Sequence, residues 1–259
     1  MPVITLLTDF GTRDSYVGEL RGALLTRAPG AVLADISHHI PPGDVRAAAY
    51  VLGRAWPTFP PGTVHVAIVD PGVGGPRSAL AVRADGHHFV APDNGLLTPV
   101  LPRAERIVEL PIPESAAPTF HGRDVFAPAA AALAGGTPAS DLGAAVRTAP
   151  TQLASSQPRR EGSAVAGEVI YVDRYGTLVT NLERDADGPV EIDGARVRLR
   201  RTFSDVAEGE LVAFLGSGGT IEIAVRNGSA AERLAATVGT AVRLVLRRRS
   251  SRFGGDSRL

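Results

Sequence analysis

An acid and an arginine frame a glycine-rich turn in the segment VAIVDPGVGGPRSAL, residues 66–80. Asp70 follows an apolar, strand-like run, and Arg77 comes after the turn. A tight turn can bring the guanidinium back to the carboxylate, which keeps the acid ionised and able to orient a water molecule. Ligands of open α/β sheets bind at the carboxyl ends of strands, where Asp70 is expected. The segment is therefore a candidate for chemistry.

Two other interpretations of the same glycines are a phosphate-binding loop and a plain surface turn with an ion pair. Counting from Gly72 and Gly74, a dinucleotide-binding fingerprint needs its third glycine where this chain has Arg77. A P-loop needs a lysine after the glycines, and none follows. The spacing thus disfavours phosphate binding, whereas the surface turn stays open on local grounds.

A histidine and two further acids stand at comparable positions. His121, in TFHGRDVFAP, precedes a helical segment and could join Asp70 and Arg77, although an isolated histidine is more often a structural hydrogen-bonding group. Asp9 ends the first predicted strand in TDFGTRDSY, and Asp14 opens the helix after it. Each acid alone could be a helix cap or a turn residue. Together they place several carboxylates on one rim of the predicted sheet.

No metal site is predicted. The pairs His38-His39 and His87-His88 lack metal-ligand spacing to a third residue, and we interpret them as surface or structural residues. The chain has no cysteine, which excludes disulfides, thiolate catalysis and thiolate metal sites.

The elements that must position these residues alternate in the first half of the chain. Short apolar runs predict strands at VITLL, AVLADIS, TVHVAIVD, SALAVRA, HHFVAPD and RIVEL. A helical pattern begins at Asp14 and stops at Pro29-Gly30, a second helix follows the predicted N-cap Asp44, and DVFAPAAAALAGG predicts a third. This alternation predicts an α/β catalytic domain over residues 1–155, with a mostly parallel sheet and flanking helices.

The pattern changes after Gly143, where a linker-like stretch rich in Ala, Ser, Pro and Arg begins, and the domain boundary is expected within it, near residue 155. Short β-like runs follow, at EVIYVD, TLVTNL, VEIDGARVRLR, ELVAFLG, TIEIAV and AVRLVL. They predict a smaller all-β barrel domain over residues 156–250. Residues 251–259 are expected to be a disordered tail, and the neighbouring arginines 247–249 are interpreted as part of a solvated terminus rather than as a nucleic-acid arm.

The composition is that of an ordinary globular protein. Lys+Arg and Asp+Glu balance at 27 each, so no net field draws the chain to nucleic acid or to a membrane surface. No apolar run approaches the roughly 18 residues of a membrane span. The first residues resemble a strand rather than a signal peptide, and we expect a cytoplasmic, bacterial protein with neither nucleic-acid nor membrane partners.

Six motifs occur in an order that resembles one enzyme family. They are TDFGTRDSYVGELRG, VDPGVGGPR, APDNG, TFHGRDVFAPAAA, VDRYGTLVTNL and GSGGTIEIAVRNG. They are similar to motifs of the S-adenosylmethionine hydrolases that form adenosine, the SAM hydroxide adenosyltransferases, which are relatives of the fluorinating and chlorinating enzymes. The resemblance implies hydrolysis of S-adenosyl-L-methionine to adenosine and L-methionine without a metal or other cofactor. It also implies a homotrimer with active sites between one subunit's N-terminal domain and its neighbour's C-terminal domain.

Carried over residue by residue, the family's catalytic set falls on Asp70, Arg77 and His121. These residues would hold a water molecule that attacks C5′, since the sulfonium makes this carbon electrophilic and methionine a neutral leaving group. A positioned base is worth roughly 10²–10⁴-fold in rate. From the sequence, either Asp70 or His121 could take the proton.

The other matched residues would bind the substrate. They are Asp9 at the ribose hydroxyls, Asp14 and Asp173 near the methionine end, Phe120 around the reacting carbon, Thr177 at the adenine, and Ser217 at the methionine carboxylate. Two positions depart from the relatives. Thr177 stands where the family commonly has an asparagine, and Gly218 stands where the halogenating enzymes have an arginine. Asn181 lies in a matching TN pair, with no contact assigned to it.

Two alternative functions stay open. A halide adenosyltransferase is disfavoured because a carboxylate at Asp70 would repel the halide, and the halogenating relatives carry tyrosine there. A non-catalytic module that binds S-adenosylmethionine or adenosine would need only the pocket, whereas this chain also has all three catalytic residue types.

Overall fold

The computed structural model describes residues 1–154, 157–183 and 188–246. The chain divides into two compact units, Met1–Ala154 and Ser155–Leu259. The predicted tail over residues 251–259 and the arginines 247–249 lie outside the described residues.

A seven-stranded sheet forms the centre of the N-terminal unit. Its strands are β1 (Val3–Thr8), β2 (Val32–Ser37), β3 (Val64–Ile68), β4 (Ala79–Ala84), β5 (His87–Pro92), β6 (Ala104–Leu110) and β7 (Ala144–Ala145). Their order across the sheet is β2-β1-β3-β5-β4-β6-β7. The first six strands are the six that hydrophobic runs predict.

The sheet has a parallel half and an antiparallel half. Strands β2, β1, β3 and β5 are parallel neighbours. Strands β4 and β5 are joined by the two-residue turn Asp85-Gly86, with positive φ at both residues (48° and 76°), and such a short link permits only antiparallel pairing. Strands β6 and β7 continue this antiparallel half. The α/β class predicted for this domain is confirmed, with parallel pairing limited to the first four strands of the sheet order.

Three helices accompany the sheet: α1 (Tyr16–Arg27), α2 (Val45–Ala55) and α3 (Ala127–Ala134). Asp44 caps α2 as predicted, because its side chain accepts a hydrogen bond from the Ala47 N–H at 2.9 Å. The buried core joins leucines of α1 and alanines of α3 to apolar residues of β1 and β3. In the described ranges, no helix is long and apolar enough to cross a membrane.

The C-terminal unit is built on a second, strongly curved sheet. Its described strands are β8 (Arg159–Glu161), β9 (Ala164–Val172), β10 (Leu178–Glu183), β11 (Val190–Ile192), β12 (Ala195–Val197), β13 (Leu199–Arg200), β14 (Leu211–Leu215), β15 (Thr220–Val225) and β16 (Ala241–Val245). The strand order is β12-β11-β16-β9-β10-β15-β14-β13, with β8 beside β9. Strand β12 also contacts β14, so the sheet curls toward closure. This confirms the predicted barrel-like fold, to which the short helix α4 (Ala230–Arg233) is added.

Candidate active site

The glycine-rich turn after β3 is packed against a second loop. Hydrogen bonds from Val73 N–H to the Asp70 carbonyl and from Gly75 N–H to the Gly72 carbonyl fold it tightly. Gly74 has φ of +75°, and a Cβ there would lie 2.5 Å from the Pro118 carbonyl oxygen. A side chain at position 74 would therefore push apart the loops that carry Asp70 and His121.

Asp70 and Arg77 form a two-point ion pair. Arg77 Nε donates to Asp70 Oδ1 at 3.0 Å, and Arg77 Nη2 donates to Asp70 Oδ2. The two side chains are 5% and 10% exposed, respectively. A bidentate pair of this kind fixes the plane of the carboxylate as well as its position. The structure thus brings the acid and the arginine of the sequence motif into direct contact.

His121 joins the pair through the same guanidinium. Arg77 Nη2 lies 2.9 Å from His121 Nδ1. Because a guanidinium only donates hydrogen bonds, Nδ1 must be the acceptor, and the proton of the neutral ring is on Nε2. His121 is 3% exposed. Burial, and then the positive charge of Arg77, lower the pKa of His121, so the neutral ring prevails at physiological pH.

The backbone after His121 is unusual. His121 stands at the N-cap of a π-helical turn, Gly122–Phe126, which runs directly into α3. Single π-helical turns are rare and frequently occur at functional sites. Phe126 of this turn lies under the Arg77 guanidinium, with 5.6 Å from the guanidinium carbon to the ring centroid. The turn therefore supports both the histidine and the arginine.

A cavity of about 340 Å³ opens onto these residues. Asp70 and His121 line this cavity, whereas Arg77 is not among its described lining residues. Asp9 and Phe120 also line it. Asp9 Oδ2 accepts a hydrogen bond from the Gly43 N–H at 2.8 Å, so this carboxylate is anchored at one oxygen. With Phe10 also in its wall, the cavity presents two carboxylates, an imidazole and two aromatic rings to the same volume.

Three aromatic rings cluster beside this cavity. The centroids of Phe10 and Phe120 are 5.9 Å apart, and those of Tyr16 and Phe120 are 5.6 Å apart, both in edge-to-face geometry. The Arg123 guanidinium lies 5.0 Å from the Phe120 centroid and is held by Asp124. Sequence reasoning found Phe120 and missed the other two rings. The available signal was their place in TDFGTRDSY, where Phe10 directly follows Asp9 and Tyr16 follows the polar loop that carries Asp14.

The predicted residues of the second half lie in the C-terminal unit. Asp173 and Thr177 line a larger cavity there, of about 1200 Å³, with Tyr175 and Phe203 among the other lining residues. Asp173 Oδ1 accepts hydrogen bonds from the N–H groups of Tyr175 and Thr177, at 2.9 and 2.8 Å, so one carboxylate oxygen organises the turn. The Thr177 side chain is buried beneath this turn.

Two of the predicted binding residues belong to neither cavity wall as described. Asp14 is exposed just before α1, and Ser217 is exposed in the turn between β14 and β15. Asn181 accepts a hydrogen bond from the Glu168 N–H at 2.8 Å, which ties β10 to β9. Among the described residues, no group of three or more histidines and carboxylates is arranged to hold a metal ion.

The protein has an α/β unit, which holds the acid–arginine–histidine site, and a curved, mostly β unit. Together they define a class of two-domain proteins. Family models match both parts: the SAM hydroxide adenosyltransferase N-terminal domain over residues 4–143, and the C-terminal domain of the same family over residues 167–243. The chain belongs to the SAM hydroxide adenosyltransferase family.

Individual relatives agree with this membership. The chain is 44% identical to an (R)-S-adenosyl-L-methionine hydrolase of Thermus thermophilus, an alignment that covers 95% of this chain and all of the relative. It is 40% identical to a protein of the same name from Salinispora arenicola, over 94% of this chain and 97% of the relative. The crystal structure of an uncharacterized conserved protein from Thermotoga maritima superposes with a TM-score of 0.86 at 34% identity, and covers 95% of this chain and all of that one. A fluorinase of Actinoplanes is more distant, at 27% identity over 86% of this chain and 90% of the relative.

Proposed function

We propose that this protein hydrolyses S-adenosyl-L-methionine to adenosine and L-methionine. The observation that carries the proposal is the contact of Arg77 with both Asp70 and His121, on the wall of a cavity in a chain with relatives named as S-adenosyl-L-methionine hydrolases. Water would attack C5′, and the C5′–sulfur bond would break with its electron pair going to sulfur. Methionine leaves as a neutral thioether, so the leaving side needs neither an acid nor a metal.

Asp70 is the proton acceptor in this proposal. Neutral His121 has one ring nitrogen that can accept a hydrogen bond, Nδ1, and it already accepts from Arg77. The other nitrogen, Nε2, carries a hydrogen. Nε2–H can then donate to the water oxygen and aim its lone pair, while a carboxylate oxygen of Asp70 accepts the water proton. Arg77 stabilises the carboxylate before the transfer and holds the two groups in a fixed relation.

The proposed binding roles follow the two cavities. Asp9 keeps one carboxylate oxygen for the ribose hydroxyls, and Phe120 lies beside the reacting carbon. Asp173 and Thr177 would serve the methionine and adenine ends, and the exposed Asp14 and Ser217 would complete the methionine end.

We also propose a homotrimer in which a neighbour's C-terminal unit completes each active site. Supporting this, four of the matched residues line a cavity of the N-terminal unit, whereas Asp173 and Thr177 line a cavity of the C-terminal unit. Light scattering should give three times the monomer mass, and a monomer at assay concentration would contradict the assembly.

Incubation with S-adenosylmethionine in H₂¹⁸O tests the reaction. Chromatography should show adenosine and methionine in equal amounts, with ¹⁸O in the 5′-hydroxyl of adenosine, and EDTA should not change the rate. Tight binding without turnover would identify a binding module. 5′-Halo-5′-deoxyadenosine as the main product in chloride or fluoride would identify a halide adenosyltransferase.

The Asp70→Asn variant separates binding from chemistry. It keeps the shape of the side chain but removes its basicity, so kcat should fall by roughly 10²–10⁴-fold. Calorimetric affinity for S-adenosylmethionine should stay within a few fold. An unchanged kcat would exclude Asp70 as the base.

A further inference from the structure

A chain of polar side chains runs from the surface to the loop that carries Asp9. Thr8, at the end of β1, is fully buried, and its hydroxyl lies 2.8 Å from Nδ1 of His38, which is 4% exposed. His38 Nε2 lies 3.1 Å from Asp35 Oδ1, a charge-assisted contact with imperfect alignment. Arg21 of α1 forms an ion pair with the same carboxylate.

The irregular pairing of β1 with β2 brings these residues together. Leu6 is opposite Asp35, but Leu7 is opposite Ser37, so β2 contains one extra residue at this point. Such a bulge redirects the following side chains, and bulges are common beside active sites. Here the ring of His38 reaches the end of β1 instead of continuing the strand alternation.

The pair accepts hydrogen bonds from the backbone that directly follows Asp9. The Phe10 N–H donates to Thr8 Oγ1 at 3.2 Å, and the Gly11 N–H donates to the His38 carbonyl at 2.8 Å. With Nε2–H directed to Asp35, Nδ1 accepts from the Thr8 hydroxyl, whose oxygen in turn accepts from Phe10. The Thr8 hydroxyl therefore both donates and accepts, and the lone pair of His38 Nδ1 has a donor.

We infer that His38 and Thr8 are positioning residues for substrate binding, which act through Asp9. This inference rests on the proposed function, because it assigns to Asp9 the ribose hydroxyls of the substrate. The Asp9 side chain has one anchor of its own, the N–H of Gly43, which also lines the cavity. With Thr8, His38 and Gly43 in place, the free oxygen of Asp9 has a fixed direction before the substrate arrives, so less entropy is lost on binding.

The pair Thr8→Val and Thr8→Ser tests this inference. Valine matches threonine in shape but lacks the hydroxyl, whereas serine keeps it. Loss of the hydrogen bond should raise KM for S-adenosylmethionine roughly tenfold in Thr8→Val, with kcat within about twofold, and Thr8→Ser should stay close to wild type. Equal KM values for Thr8→Val and wild type would overturn the inference.

A double-mutant cycle with Asp9→Asn separates positioning from general stability. If Thr8 acts through the Asp9 carboxylate, Thr8→Val should raise KM by less than about twofold in the Asp9→Asn background. The same tenfold effect in both backgrounds would show that Thr8 acts independently of Asp9 and would overturn the inference.

Two substitutions of His38 supply a second readout. The Asn amide oxygen reaches the place of Nδ1 and keeps the Thr8 contact, whereas the Gln amide reaches the place of Nε2 and keeps only Asp35. We expect the KM of His38→Asn to stay within about threefold of the wild-type value. The KM of His38→Gln should rise about tenfold. If the ring were only filling space, the larger Gln would be the milder change, and this order would overturn the inference.

Failure of the proposed function is distinguishable from failure of this inference. If wild-type protein binds S-adenosylmethionine but does not hydrolyse it, the hydrolase proposal fails. The same variants are then compared by calorimetric Kd, with the same expected ratios. If wild-type protein does not bind S-adenosylmethionine, both proposals are overturned.

Discussion

At the scale of single residues, the site depends on an arginine that can only donate. Arg77 uses two nitrogens on Asp70, and one of them also serves His121. A lysine carries the same charge on a single nitrogen and cannot reproduce this planar geometry. The guanidinium therefore sets the tautomer of His121 as well as the orientation of the Asp70 carboxylate.

Arg77→Lys should consequently reduce kcat by roughly 10²-fold, because the histidine loses the contact that fixes its tautomer. Steady-state kinetics with S-adenosylmethionine measures this loss. Arg83→Lys is the matched control, since Arg83 lies on β4 in an exposed ion pair with Glu105. An Arg77→Lys rate equal to that of the control would show that charge alone is sufficient.

The sequence predicts residues of this site better than it predicts their protonation. Asp70 and Arg77 could be paired from a tight glycine turn, because both lie in one short segment. The tautomer of His121 could not be predicted, because it depends on a nitrogen 44 positions away in the chain. Similarly, the sequence leaves His38 and His87 as either surface or structural residues, and only the fold shows that both are buried.

At the scale of elements, the glycine-rich turn has a packing role. Residue 74 must adopt a positive φ and must also fit close to the Pro118 carbonyl. These are two separate requirements, and a glycine meets both. The turn lacks the spacing of a phosphate-binding loop, and its geometry explains why glycines are needed without a phosphate. The residues between Asp70 and Arg77 serve to bring this loop against the loop of His121.

Gly74→Ala should lower both stability and kcat. The positive φ alone costs about 1 kcal/mol for alanine, and the clash with the Pro118 carbonyl adds to it and displaces the loop. Gly209→Ala is a close control, because Gly209 has the same φ of +75° with no atom within 4 Å of an added Cβ. Chemical unfolding and kinetics on both variants measure the difference. Equal losses of stability, with kcat unchanged in both, would refute the packing role.

The elements themselves were largely predictable, and their irregularities were not. Strands β1 to β6 match short apolar runs, of which β1, β3, β4 and β5 are largely buried, and α2 begins at its predicted cap Asp44. The extra residue in β2 and the π-helical turn after His121 leave no signature in hydrophobic periodicity. The π-helical turn begins at Gly122 in the cavity wall, and the register shift of β1 lies at Leu7, two positions before Asp9 of the same wall.

At the scale of the whole molecule, stability depends on a histidine cluster buried in the N-terminal unit. His65 is 1% exposed, its Nδ1 lies 2.7 Å from Thr5 Oγ1, and its Nε2 lies 3.2 Å from His87 Nδ1. The ring stacks on Phe89, with centroids 4.8 Å apart. Neither ring nitrogen faces a carboxylate in these contacts, so a protonated His65 has no counter-charge there.

Burial, followed by the charge of neighbouring His87, lowers the pKa of His65 to about 3. The unfolded chain takes up this proton near pH 6.5, whereas the folded chain does so only near pH 3. The unfolded state therefore binds more protons in this window, and stability falls as the pH drops from 6.5 to 3, by an amount on the order of 3–5 kcal/mol. The lowered pKa values of His87 and His121 act in the same direction.

His65→Phe should flatten this pH dependence, because the near-isosteric ring cannot take up a proton in either state. It should also reduce stability at pH 7.5, since Thr5 and His87 each lose a hydrogen-bond partner. Urea unfolding at pH 7.5, 5.5 and 4.5 gives the dependence of the free energy of unfolding on pH for each variant. His39→Phe is the control at an exposed position. Its loss of unfolding free energy between pH 7.5 and 4.5 should be close to that of the wild type. If His65→Phe and wild type lose the same free energy over this range, acid sensitivity arises elsewhere in the molecule.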